Sequence, residues 1–147
     1  MSNARRPRYY FSARAWICIL GACAMSPFLF VALQGYMTLL TFPTLSAFGV
    51  SSSSGSKVVL ALGGLIGSLT TGALLCIPLG WFERKRPALL GAIVGMAGCV
   101  GVSWIWFNLP PDGVIWSFSR FLELGGLFAG CVLFAVAGAR RAHRVAA

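Results

Sequence analysis

The feature that most constrains this chain is a series of four long apolar segments, at about residues 15–41, 58–81, 87–107 and 114–139. A helix rises about 1.5 Å per residue, so roughly 20 residues cross a hydrocarbon core about 30 Å thick. Because lipid offers no hydrogen-bond partners, a spanning segment must satisfy its own backbone, as a helix does. The sequence therefore predicts an all-α membrane protein, a four-transmembrane-helix bundle that forms a single integral membrane domain over residues 1–147.

Composition supports a lipid environment for these segments. Of the 147 residues, 58% are hydrophobic and 10% are charged, whereas soluble domains carry about 25% charged residues. Such a chain has too few charges to cover a water-facing surface. Four spans also leave no room for a separate soluble catalytic domain.

The basic residues predict the orientation. Lysines and arginines total 12 and the net charge is +9. All but Lys57 and Arg120 fall in the two tails or in the loop between the second and third segments, which share one side of a four-span protein: Arg5, Arg6, Arg8, Arg14, Arg84, Lys85, Arg86, Arg140, Arg141 and Arg144. Since positive residues stay in the cytoplasm, we expect both termini inside, in the inner membrane of a bacterium. These clusters adjoin apolar segments, so we expect them to contact the lipid bilayer and no nucleic acid.

The tryptophans predict the same orientation. Trp16 and Trp81 fall at the expected inner boundaries, and Trp104, Trp106 and Trp116 fall near the outer ones. An indole prefers the level of the lipid head groups, because one edge is polar and the rest is apolar. The first apolar stretch runs over roughly 25 residues, longer than the 7–15 of a signal peptide, so we expect it to be a retained helix.

Small residues predict where the helices pack. Membrane helices associate through close backbone approach at glycine, alanine and serine. Residues of this kind recur at intervals of four in the last three segments: Gly64, Ser68 and Gly72, then Gly91 and Gly95, then Gly126 and Gly130. The pattern fits packing within one bundle and packing between copies equally well. Pro27, in the first segment, predicts a kink that serves either as shape or as a hinge.

Few residues could carry catalysis or hold a metal. The five cysteines form no C-x-x-C pair, and His143 is the single histidine. Metal and haem centres need more ligands than this, and hydrolysis needs paired carboxylates or a serine–histidine pair. We therefore expect no cofactor, no metal, no catalytic residues and no enzymatic activity.

The fourth segment contains two charges, Arg120 and Glu123, in an otherwise apolar stretch. Counted from residue 114, Glu123 lies about 14 Å along the helix and Arg120 about 9 Å. A small-residue stripe beside Glu123 predicts that the carboxylate faces the bundle interior. Two interpretations remain open: an i,i+3 ion pair that neutralises itself, or a carboxylate coupled to a proton or a substrate. Gln34 is a possible polar partner of this pair.

Two functions follow from these features. The first is a non-enzymatic accessory, assembly or immunity-type membrane component that acts through helix–helix contacts. The alternative is a small oligomeric transporter or channel that uses the intramembrane carboxylate of Glu123. In either case the expected partner is another membrane protein or a further copy of this chain.

Overall fold

A computed structural model describes residues 13–47, 53–83, 86–108 and 118–145, and within them the chain is helical with no strand. The helices are α1 (Ala13–Ala47), α2 (Ser53–Phe82), α3 (Pro87–Asn108) and α4 (Phe118–Val145). Each is long and apolar enough to cross a membrane, and together they mark a multi-pass membrane protein. The prediction of four apolar helices is confirmed.

The helices extend beyond the predicted apolar segments at several ends. α1 continues to Ala47, α2 begins at Ser53, and α4 continues to Val145. The extension of α4 runs through alanines and arginines, which are good helix formers, so the helix persists after the apolar stretch ends. The predicted first residues of the fourth segment, 114–117, lie outside the described part of the chain.

The four helices pack as a ring in the order α1, α2, α4, α3. The most extensive interface joins α2 to α4, and three others join α4 to α3, α3 to α1 and α1 to α2. α2 and α3 touch across one diagonal of the ring, and α1 and α4 stand on the other. α2 runs parallel to α4, because Gly72 lies against Gly130 and Gly80 lies against Ala135. α3 runs antiparallel to α4, because Gly95 lies against Phe128 while Cys99 lies near Leu124.

This arrangement gives the bundle two different ends. The basic end contains the start of α1, the end of α2, the start of α3 and the end of α4, and its described arginines are Arg14, Arg86, Arg140, Arg141 and Arg144. The neutral end is the opposite one, where α3 finishes at Asn108 and α4 begins at Phe118.

The core lies between the four helices and contains side chains from each. Its largest fully buried members are Phe30, Ile19, Leu90, Leu127, Val94 and Val102. Cys76 and Cys131 are also fully buried, and the five cysteines are free thiols. In the part of the chain that the structure describes, no group of histidines, cysteines or acids is arranged to hold a metal ion.

Pro27 lies inside α1, in its packed face rather than at its edge. Proline has no N–H, so the carbonyl four residues earlier, that of Cys23, loses its helical partner. The Ser26 hydroxyl donates a hydrogen bond to this carbonyl at 3.2 Å. The Pro27 ring fills space against α3, where a side chain on Gly101 would meet it at 2.9 Å. These contacts favour a fixed shape for this part of α1.

Candidate functional site

The carboxylate of Glu123 lies inside the bundle, with the residue only 4% exposed. Its Oε2 atom accepts a hydrogen bond of 2.9 Å from Nε2 of Gln34. Gln34 belongs to α1 and Glu123 to α4, two helices on a diagonal of the ring. One polar contact therefore crosses the bundle and links helices that are not lateral neighbours.

Glycines of α2 make room for this contact. A Cβ atom on Gly64 would lie 2.6 Å from Cγ of Glu123, so any side chain there would displace the glutamate. One turn further along, a Cβ atom on Gly67 would lie 3.4 Å from the backbone of Gln34. The Gln34–Glu123 hydrogen bond thus passes over a helix surface that has no side chains at these two positions.

The hydroxyl of Ser68 ties α2 to α4 beside the carboxylate. Ser68 is fully buried, and its Oγ atom lies 2.7 Å from the carbonyl oxygen of Gly64 and 2.9 Å from that of Glu123. The hydroxyl has one proton, which the two carbonyl oxygens share: the contact with Gly64 is the usual one of a helical serine with the preceding turn, and the contact with Glu123 bridges the two helices. Backbone and side chain of Glu123 are therefore both held.

Arg120 has a different partner. Its guanidinium carbon lies 4.4 Å from the centroid of the Trp106 ring on α3, within the range of a cation–π interaction. Trp106 in turn meets Phe30 of α1 edge-on, with ring centroids 6.2 Å apart and planes at 67°. The guanidinium therefore lies near the end of α3, over a tryptophan two residues before Asn108.

The structure therefore assigns the two predicted charges to two separate contacts. An ion pair between Arg120 and Glu123 was one of the two interpretations left open by the sequence; in the structure the carboxylate accepts a hydrogen bond from the Gln34 amide, and the guanidinium lies over the Trp106 indole. Among the described residues, no buried side-chain nitrogen or oxygen lacks a hydrogen-bond partner. The residues joined by hydrogen bonds form what we call the polar cluster, Gln34, Ser68 and Glu123, and Arg120 lies one turn away on α4.

The depth of Glu123 in the bundle follows from its level along α3. Since the thiol of Cys99 donates to the Leu124 carbonyl at 3.4 Å, Glu123 is level with about residue 100 of α3. That is eight residues, or about 12 Å, from the last residue of the helix. Counting from residue 114 gave a similar figure, about 14 Å. The carboxylate thus lies in the half of the bundle nearer the neutral end, and Arg120 extends from it toward that end.

The small residues singled out in the sequence lie at helix–helix contacts. Beside Gly64 and Ser68, a Cβ atom on Gly72 would meet the backbone of Gly130 at 2.7 Å, and one on Gly91 would meet Cα of Val132 at 2.7 Å. The remaining three contacts bring side-chain or Cα atoms to about 3 Å: Gly95 with Phe128, Gly126 with Leu65, and Gly130 with Leu69.

Two features were not found by sequence reasoning. Trp106 was assigned to the membrane interface, and nothing in its spacing showed that it would face Arg120. A groove of about 350 Å³ also runs along α3, lined by Cys99, Val100, Ser103, Trp104 and Phe107. Its residues follow helical spacing, but so do those of any lipid-facing surface.

Comparison with known proteins adds no family to this geometry: no family model matches the chain, and neither a curated protein nor a solved structure matches it. Any functional conclusion must therefore come from the residues themselves.

Proposed function

We propose that this chain is a non-enzymatic component of a bacterial inner membrane, of the accessory, assembly or immunity type, which acts through contacts between its helices and another membrane protein. Both termini face the cytoplasm. The distribution of arginines supports this orientation, since the basic end contains Arg14, Arg86, Arg140, Arg141 and Arg144 and positive residues stay on the cytoplasmic side.

The observation that carries the proposal is that the contacts of the polar cluster join helices of the bundle to one another. Glu123 is held by a side-chain amide on the diagonal helix, its carbonyl is bridged by Ser68, and Gly64 leaves just enough room for its stem. A buried polar contact of this kind specifies which helices pack together and in which register. The role of this cluster is therefore to hold the helices of the bundle in register.

The outward surface is then left for a partner. Large apolar side chains cover it along all four helices, among them Phe28 of α1, Ile66 of α2, Trp104 of α3 and Leu133 of α4. In a membrane such side chains contact either lipid or the helices of another protein. Association there would rely on shape and on close packing rather than on hydrophobic drive.

Affinity purification from membranes in a mild detergent, followed by quantitative mass spectrometry, tests this proposal. We expect one membrane protein to co-purify at a fixed ratio to the tagged chain. The matched control is a tagged Trp104→Ala variant, which changes the α3 groove without touching the polar cluster. Recovery of the chain alone, or only as copies of itself, in both preparations would contradict the accessory role.

The second candidate is a small oligomeric transporter or channel that uses Glu123. The observation in its favour is the position of this acid, about 12 Å inside the bundle from the neutral end. Acids at such depth are often functional in membrane proteins. The purified chain would be placed in liposomes and proton flux followed with an internal pH dye.

Two variants separate these functions. Glu123→Gln keeps the shape and the hydrogen-bonding capacity of the side chain but cannot bind and release a proton. A transporter would lose its flux in this variant while keeping insertion and helicity unchanged. Equal flux in the wild type, in Glu123→Gln and in empty liposomes is the result expected from the accessory role.

A further inference from the structure

The whole net charge of this protein comes from its two tails and the loop between α2 and α3. The ten basic residues of these segments, together with Glu83, give a charge of +9, which equals that of the entire chain. Elsewhere Lys57 and Arg120 are balanced by Asp112 and Glu123. Orientation in a membrane requires a bias of positive charge, but it does not require that the charges share a helix face.

At the end of α4 the arginines do share a face. At about 100° per residue, Arg140, Arg141 and Arg144 lie within an arc of about 100°, and all three are exposed. The opposite side of the same turns carries Gly138, Ala139 and Ala142, which are buried, and the two alanines are each 4% exposed. The last turns of α4 therefore pack on the bundle with alanine and turn their arginines outward.

The arginine face continues along α4 as an apolar face. Leu133 and Ala137, one to two turns earlier, lie in the same arc and are exposed, Leu133 by 64%. The distance from Leu133 to Arg140 is seven residues, about 10 Å along the helix. An apolar strip that ends in three guanidinium groups matches a phospholipid, which has hydrocarbon chains beneath a phosphate.

Arginine suits this role better than lysine would. Its planar guanidinium donates two parallel hydrogen bonds to a phosphate, and its long stem can lie along an apolar surface while the charged group reaches the head groups. Arg86, at the start of α3, is exposed at the same end and adds to the local positive potential. No acid lies among the last eight residues of α4 to neutralise the three arginines.

We propose that Arg140, Arg141 and Arg144 on the outward face of α4 form a binding site for the phosphate of an anionic phospholipid, with Leu133 and Ala137 beneath its hydrocarbon chains. The inference rests on the chain being embedded in a bilayer, and it is independent of the role assigned to the polar cluster. In the proposed orientation the site belongs to the cytoplasmic leaflet.

Native mass spectrometry of the purified full-length chain in mild detergent tests this site. The probes are dioleoyl phosphatidylglycerol, which is anionic, and dioleoyl phosphatidylcholine, which has the same chains and no net charge. We expect the anionic lipid to bind at least tenfold more tightly. Taking as the scale the contribution of a basic residue at an anionic membrane surface, about fivefold in affinity, we expect the triple variant Arg140→Gln, Arg141→Gln, Arg144→Gln to bind it roughly a hundredfold more weakly.

The matched control removes the same number of charges from the N-terminal tail instead of from α4: Arg5→Gln, Arg6→Gln and Arg8→Gln together. We expect this control to bind the anionic lipid within about threefold of the wild type. Should the α4 triple variant fail to fold, the charge-preserving Arg→Lys triple and the single variant Arg144→Gln replace it, with an expected loss of about fivefold for the single variant.

Three results would overturn the site. One is equal affinity for the anionic and the uncharged lipid. Another is an equal loss of binding in the N-terminal control and the α4 variant, which would show a diffuse charge effect. The third is full displacement of the anionic lipid by inorganic phosphate at the same concentration, which would show that the hydrocarbon chains contribute nothing.

Discussion

At the neutral end, α4 turns its charges toward the other helices; at the basic end, the same helix turns them away. Glu123 reaches the diagonal helix and Arg120 lies over a ring of α3, whereas Arg140, Arg141 and Arg144 are exposed. The glycines at the two ends also make different contacts. Gly64 leaves space for a side chain, while Gly80 lets two backbones approach.

The difference teaches that a charge in a membrane helix is used according to what surrounds it. Beneath the surface an unpartnered charge is costly, so polar groups there must find each other, and doing so fixes the register of the helices. At the head-group level water and lipid phosphates satisfy the charge, and the helices can pack with the smallest side chains available. One end is therefore specified by polar contacts and the other by close backbone packing.

The largest expected effect comes from adding a methyl group at the basic end. A Cβ atom on Gly80 would lie 2.9 Å from the carbonyl carbon of Ala135, which is backbone and cannot rotate away. Gly80→Ala should lower the free energy of unfolding in detergent by roughly 1–3 kcal/mol. Thermal unfolding followed by circular dichroism measures it.

Two other glycines provide the controls for this variant. A Cβ atom on Gly125 would meet no other atom within 4 Å, so Gly125→Ala should leave stability unchanged or slightly raised. Gly64→Ala should destabilise the wild type but much less a Glu123→Ala background, because the clashing atoms are then gone. If Gly80→Ala behaved like Gly125→Ala, the distinction between the two ends would fail.

A smaller effect is expected from the hydrogen bond across the diagonal. Gln34→Ala removes the amide that donates to the buried Glu123 carboxylate, and Glu123→Ala removes the carboxylate that accepts this bond. Hydrogen bonds between membrane helices contribute about 0.6 kcal/mol on average and up to about 1.7. We expect the double-mutant cycle to give a coupling energy of roughly 0.5–1.7 kcal/mol.

Ser68→Ala serves as the comparison for that cycle. Ser68 contacts the backbone of Glu123 rather than its carboxylate, so its effect should add to that of Gln34→Ala within about 0.5 kcal/mol. Strict additivity of the stability losses in Gln34→Ala and Glu123→Ala would instead show that the cluster does not hold the helices in register.

Sequence reasoning was strongest where a single property decides the structure. Four helices follow from apolar length, and the division of charge between the ends follows from which segments are basic. Gln34 was predicted as a possible polar partner of the two charges, and the structure places it against Glu123. In each of these cases composition along the chain carried the information, with no need to know how helices rotate.

Where two contacts compete, the sequence could not decide. Arg120 has Glu123 one turn away on its own helix, and it has Trp106 14 residues earlier on another helix. Local spacing favours the first, but the rotation of α4 turns Glu123 inward toward α1 while the longer arginine extends toward the end of α3. The outcome depends on how four helices pack together, and that order around the ring cannot be read from hydropathy.

The smallest expected effect separates these two partners of Arg120. A cation–π contact at a partly exposed site contributes about 0.5–1 kcal/mol. Arg120→Gln should lower the free energy of unfolding by that amount in the wild type and by clearly less in a Trp106→Leu background. An ion pair would give the opposite pattern, with the effect of Arg120→Gln preserved in Trp106→Leu and lost in Glu123→Gln. Arg140→Gln, an exposed arginine at the basic end, should change stability by no more than about 0.5 kcal/mol, because water replaces its contacts. If the stability effect of Arg120→Gln depended on Glu123 alone, one charge pair would specify the neutral end and the Trp106 ring would contribute nothing to it.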